Sequence, residues 1–176
     1  MTGGLVGIFI GAMARDGGPD PAAPPAGEAA ARRFRSGWLV PRAPARVCED
    51  SGEICLAAGE PRFADPAHAE IARTRGDAQA WLAAFRALGD EAPARVRGRF
   101  VVAWLRPNER AASIATDRFG TWPVCFTATS GGGFAFADRA DEVPSPREIS
   151  PQAVFDYVFF HMIPAPLTVF EGVSRL

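Results

Sequence analysis

The residues of this 176-residue chain that carry chemistry in a definite local pattern are the charged corner Asp117-Arg118-Phe119-Gly120 and a thin scatter of sulfur and imidazole groups: Cys48, Cys55, Cys125, His68 and His161. A carboxylate beside a guanidinium at the end of a buried strand can hold a substrate or move a proton. Charged corners more often serve structure, as an ion pair or a hydrogen-bonded turn with the adjacent aromatic packed beneath. On that reading Gly120 permits the turn and Pro123 stiffens its exit. The three cysteines form no C-x-x-C pair, and any single disulfide leaves one over, which suits reduced, mostly buried thiols. Two histidines give a zinc ion too few partners, and His161, beside an apolar helix, reads as a packing residue.

Two hairpins must position the corner. Phe100 to Leu105 is a nearly continuous apolar run, and Ala111 to Ala115 returns from a polar turn at Pro107-Asn108-Glu109, the pattern of a strand pair buried on both sides. Val124 to Thr129 and Phe134 to Phe136 then bracket Gly131-Gly132-Gly133, where glycine supplies the positive φ of a tight turn. Upstream, Leu5 to Ile10 reads as a central strand that ends at Gly11. The stretch from Ala14 to Ala31, rich in Ala, Pro and Gly, reads as a mobile surface insertion with room for a helix at its Ala-rich end.

Trp38-Leu39-Val40 and Glu53 to Leu56 read as short strands around the turn at Glu49 to Gly52, after which Ala57 to Pro61 is expected to leave the sheet. Asp77 can cap a helix carrying Trp81, Leu82, Phe85 and Leu88 on one face, stopped by Gly89. Ser150 and Pro151 open a second helix with Val154, Phe155, Val158 and Phe159 as its stripe, which reads as core or domain interface and stops before Pro164.

A chain of this size with 48% hydrophobic residues can bury a core and is expected to hold one domain. A net charge of −1, with arginines scattered along the sequence, argues against a nucleic-acid partner. No apolar run approaches the roughly 20 residues that span a bilayer, and the first residues lack a signal peptide's basic start, so no membrane partner and a cytoplasmic location are expected.

The stretch with Gly98, Phe100, Ala103 and Trp104, a polar turn, D-R-F-G-x-x-P from Asp117 to Pro123 and a Gly-rich hairpin resembles the asparagine synthase family. Gly76-Asp77 before a helix and Arg97-Gly98 fall in the family's order, and residues 150–176 resemble the segment leading towards its synthetase domain. The resemblance implies an α+β fold, a four-layer αββα sandwich of two antiparallel sheets, for a class II glutamine amidotransferase domain of the N-terminal-nucleophile type over residues 1–149. Residues 150–176 would then begin a link to a synthetase half, and the chain reads as part of a longer ATP-dependent amide-forming ligase. ATP and Mg are expected at that half, not here: Ser130-Gly131-Gly132-Gly133 lacks the Asp and Ser of the family's pyrophosphate loop.

Family chemistry uses an N-terminal Cys, whose thiolate attacks the glutamine amide while its own amine acts as base. Aligning the first strand places Gly3 at that position, and Ala58-Gly59-Glu60 stands where the family has an N-G-E triplet whose Asn stabilises the oxyanion. Loss of one such donor costs roughly 2.7–4 kcal/mol, so the resemblance implies a glutaminase that does not turn over. Gly59, Glu60 and Asp77 match retained substrate-binding positions, against the plainer roles of loop acid for Glu60 and helix cap for Asp77. Arg42 and Arg46 lie where the family's glutamine-binding Arg is sought. Two alternatives stay open: Thr2 as an exposed N-terminal nucleophile, and a domain that senses glutamine without cleaving it. Glutamine and the synthetase half are the expected partners, and a homodimer is compatible with the family.

Overall fold

Apolar alternation and glycine-marked turns fold into ten strands and three helices among residues 9–14, 23–24, 27, 30–129 and 132–176, the residues described by the computed structural model. One antiparallel sheet comprises β1 (Phe9–Met13), β2 (Arg32–Phe34), β3 (Gly37–Pro41), β8 (Cys125–Ala128), β9 (Phe134–Ala137) and β10 (Ser174–Arg175), in the order β10-β8-β9-β1-β3-β2. The other comprises β4 (Arg46–Asp50), β5 (Glu53–Phe63), β6 (Val96–Arg106) and β7 (Ala111–Thr116), in chain order.

The sheets pack face to face, with Phe9, Met13, Leu39 and Phe136 against Ile54, Leu56, Val101 and Leu105. Each such burial contributes about 1.5–3 kcal/mol. Helix α2 (Asp77–Leu88) covers the far side of the four-stranded sheet, setting Trp81 4.9 Å from Phe100 and Phe85 4.9 Å from Trp104, ring centre to ring centre. The far side of the six-stranded sheet is covered by Val143, Phe170 and Val173. The fold is α+β, with two antiparallel sheets and three helices among the described residues.

Both expected hairpins form, but in different sheets: β6 pairs with β7, and β8 with β9, so the Asp117 corner carries the chain from one sheet to the other. Within the first hairpin β6 is buried on both sides from Phe100 to Leu105, whereas β7 is a half-buried edge strand. Asp117 does build a hydrogen-bonded corner, yet Phe119 is 85% exposed rather than packed beneath it.

Several expectations are corrected. Strand β1 runs through Gly11 to Met13, because Gly11 marks a close approach and not an end: a Cβ there would lie 2.7 Å from the Phe136 ring. Residues 5–8 of the expected first strand, and most of the Ala14 to Ala31 insertion, lie outside the described residues. Strand β5 does not leave the sheet at Ala57 but continues to Phe63, paired with β6 throughout. Its hairpin partner is β4, across Ser51 and Gly52, both at positive φ, whereas β3 belongs to the other sheet.

Helix α1 (Pro66–Arg75) was not expected, since it buries no residue and so carries no apolar stripe; its one local signal is Asp65-Pro66, where Asp65 caps it through bonds from the Ala67 and His68 amides. Helix α3 (Pro151–Phe160) is capped by Ser150 as expected, but His161 is its exposed, left-handed C-cap and not a packing residue. Downstream of α3, β10 pairs with β8, and Ile149 bridges to Phe170. None of the helices is long and apolar enough to cross a membrane.

Candidate functional site

Strands β5 and β6 come unusually close where the Ala58-Gly59-Glu60 triplet passes Arg99. Gly59 has φ of +106°, and a Cβ on it would stand 2.3 Å from the Arg99 carbonyl oxygen. Gly98 has φ of +97°, and its Cβ would stand 2.3 Å from the Glu60 carbonyl oxygen. Both positions exclude a side chain on two counts, conformation and space. The register then sets Glu60 opposite Arg99, with Oε2 to Nη2 at 3.1 Å. Both side chains are solvent-exposed, so the pair adds little stability, about 0–1 kcal/mol.

Asp77 enters from the elbow between α1 and α2. It is not the helix cap: Gly76, at φ of +93°, occupies that position without a side-chain bond, and Asp77 is the first helical residue. Its half-buried carboxylate makes no hydrogen bond or ion pair among the described residues. Burial pushes its pKa above the ordinary carboxylate value, while the positive end of α2 favours its charge. Nearby, the Cys48 thiol donates to the Ala78 carbonyl at 3.1 Å, tying β4 to the first turn of α2.

These elements enclose a cleft of about 550 Å³ whose walls include Arg46, Ala58, Gly59, Glu60, Asp77 and Arg99, with Pro44, Thr121 and Trp122 completing it. Gly59, Glu60 and Asp77, separated by up to 18 positions in sequence, are thereby gathered into one site. The two candidate arginines part company. Arg42 is bound 2.5 Å from Glu142, with both side chains largely buried. Arg46 opens β4 and faces the cleft, with no acid partner among the described residues. Sequence reasoning leaves Arg46 without a role because β4 itself escapes it, and it does not single out Arg99, whose signal is only its register with Glu60.

Asp117 serves the corner and not the cleft. Its carboxylate accepts from the Phe119 amide at 2.9 Å, the Thr121 hydroxyl at 3.1 Å, the Thr121 amide at 3.3 Å and the Phe100 amide at 3.4 Å. Burial works to raise its pKa, but these donors outweigh it and hold the value below the usual carboxylate range. So saturated an acid is a structural anion. Positions 2 and 3, the candidate nucleophile positions, lie outside the described residues, and no cluster of His, Cys, Asp or Glu suited to a metal occurs among those described.

The cleft offers an unpaired carboxylate and an unpaired guanidinium beside a bare glycine backbone, a set complementary to a small zwitterion. Comparison with known proteins agrees with the fold. Residues 64–176, more than half of the chain, match the glutamine amidotransferase domain model, and the chain belongs to that family. The match takes in Asp77, Arg99 and the Asp117 corner and begins just after Glu60. One similar protein is asparagine synthetase [glutamine-hydrolyzing] 1 of Bacillus subtilis (strain 168), 26% identical over 105 residues, covering 58% of this chain and 17% of that protein. The chain thus spans less than a fifth of that relative's length.

Proposed function

We propose that this chain is the amidotransferase-like part of an ATP-dependent amide-forming ligase related to asparagine synthetase, and that its cleft holds the amino-acid end of glutamine without hydrolysing the amide. The observation that carries this reading is the unpartnered Asp77 carboxylate facing the same cleft as the unpartnered Arg46 guanidinium. Asp77 and Glu60 would take the ammonium, Arg46 the carboxylate, and Gly59 would give the ligand room beside the backbone. Turnover needs a nucleophile and an oxyanion donor, and the aligned positions hold Gly3 and Ala58, neither of which has a side-chain heteroatom.

The two described sheets with α1 and α2 on one side supply three of the layers of the four-layer αββα arrangement of N-terminal-nucleophile amidotransferases. The synthetase half, with its ATP and Mg, would pack on the exposed apolar face of α3 and make the amide from free ammonia or another amine.

Titration calorimetry with millimolar glutamine tests the reading. A saturable heat is expected that Asp77→Asn abolishes, with no ammonia released at an enzymatic rate. The substitution should leave the fold intact or firmer, since the buried charge it removes is unpaired. Absence of heat would reduce the domain to a scaffold. Ammonia release lost in Thr2→Ala would establish an N-terminal threonine nucleophile instead.

A further inference from the structure

A second cleft lies on the other side of Arg99, and it is the place of a missing strand. Pairing of β6 with β7 ends at Val101 opposite Thr116, and the Asp117 amide then donates to the Phe100 carbonyl at 3.0 Å as the chain turns into the corner. Strand β6 continues through residues 96–99, still paired with β5 on its other side, with no strand beside it on this one among the described residues. The resulting groove, about 760 Å³, is lined by Val96, Arg97, Gly98, Arg99, Phe100 and Phe119, with Pro93, Ala94 and the Thr116 to Arg118 turn completing it. An open edge of this kind is a template for another extended backbone.

Its charge is specific. The arginines that look scattered in sequence converge here: Arg97, Arg99 and Arg118 line the groove, and Arg62 sits directly opposite Arg97 across β5 and β6. Like charges directly opposite each other destabilise a sheet. Arg99 is matched by Glu60, whereas Arg62, Arg97 and Arg118 have no acid partner among the described residues. Arg118 lies over the exposed Phe119 ring, 5.7 Å from its centre, so a cation and an apolar face stand side by side on one wall.

We infer that this groove docks an extended acidic peptide segment of a partner protein, which adds a strand to the free edge of β6 and sets carboxylates against Arg97 and Arg118 and an apolar side chain against Phe119. A free phosphate or a nucleotide would satisfy the arginines but leave the backbone edge unused; a peptide strand meets both.

Fluorescence anisotropy with a fluorescein-labelled peptide alternating glutamate and valine tests this on the whole chain. Saturable binding is expected, weakened by salt, and absent for the peptide with lysine in place of glutamate. The double variant Arg97→Glu, Arg118→Glu should bind about tenfold more weakly, and it should keep its fold because the carboxylate introduced at position 97 would face Arg62. The glutamate-valine peptide N-methylated at every backbone amide cannot donate along the edge in either register and should lose binding. Should the double variant fail to fold, the unmodified and N-methylated peptides still decide on the unaltered protein. Equal binding of those two peptides, no saturable peptide binding, or binding of inorganic pyrophosphate without the peptide would each overturn the inference.

Discussion

Helices α2 and α3 look alike in the sequence and differ in what they bury. Each has a cap residue, a clear stop and an apolar stripe at helical spacing, and by periodicity both should be buried. Helix α2 lays Trp81, Leu82 and Phe85 against the four-stranded sheet and hides them. Helix α3 buries only Ala153 and Asp156 and leaves Val154 48%, Phe155 51%, Val158 63% and Phe159 66% exposed. An apolar stripe therefore reports that a helix needs a partner surface, and not that this chain supplies one.

The sharpest test of the contrast is truncation on each helix. Trp81→Ala should cost about 3–5 kcal/mol in urea unfolding, because a large ring at the centre of three aromatic contacts leaves a cavity. Its indole N–H lacks a partner among the described residues, so little of that loss would come from hydrogen bonding.

An intermediate effect is expected at the corner joining the two sheets. Asp117→Asn should cost about 1–3 kcal/mol at neutral pH, since an amide cannot accept from all four donors as an anion does. The folded-state pKa of Asp117 is lowered. Its stabilisation is thus complete above the unfolded value of about 3.9 and is lost as pH falls through the folded one. Unfolding curves of the two proteins should converge in acid, and a constant gap down to low pH would contradict the assignment.

The smallest effect belongs to α3. The Phe155→Ser, Phe159→Ser double variant should change stability by no more than about 0.5 kcal/mol, although the two ring centres lie 4.4 Å apart. It should also lower the fluorescence of a bound hydrophobic dye. A loss approaching that of Trp81→Ala would show that this face is already covered within the chain.

Much of the molecule was legible because its signals are local. The long apolar run of β6, the glycines of the β8–β9 turn, Ser150-Pro151 at the start of α3 and Gly89 at the end of α2 each express a conformational preference that neighbours along the chain do not change. Glycine was the ambiguous letter. Gly11 and Gly59 read as places to leave a strand, whereas both sit inside strands where another backbone or ring comes too close for a Cβ. Helix α1 was overlooked because it buries nothing and only Asp65-Pro66 marks its start, and β4 because its apolar residues are too few to mark a strand.

What the sequence determined by itself was the set of elements with strong periodicity; its resemblance to the asparagine synthase family added the α+β class and Gly59, Glu60 and Asp77 as candidates. Tertiary structure alone decided that those three share a cleft with Arg46, that Asp77 is freed from capping by Gly76, and that distant arginines meet along an unpaired edge. Side-chain proximity in a sheet depends on register, and register is set by pairing between residues as far apart as Arg62 and Arg97, which no local pattern records.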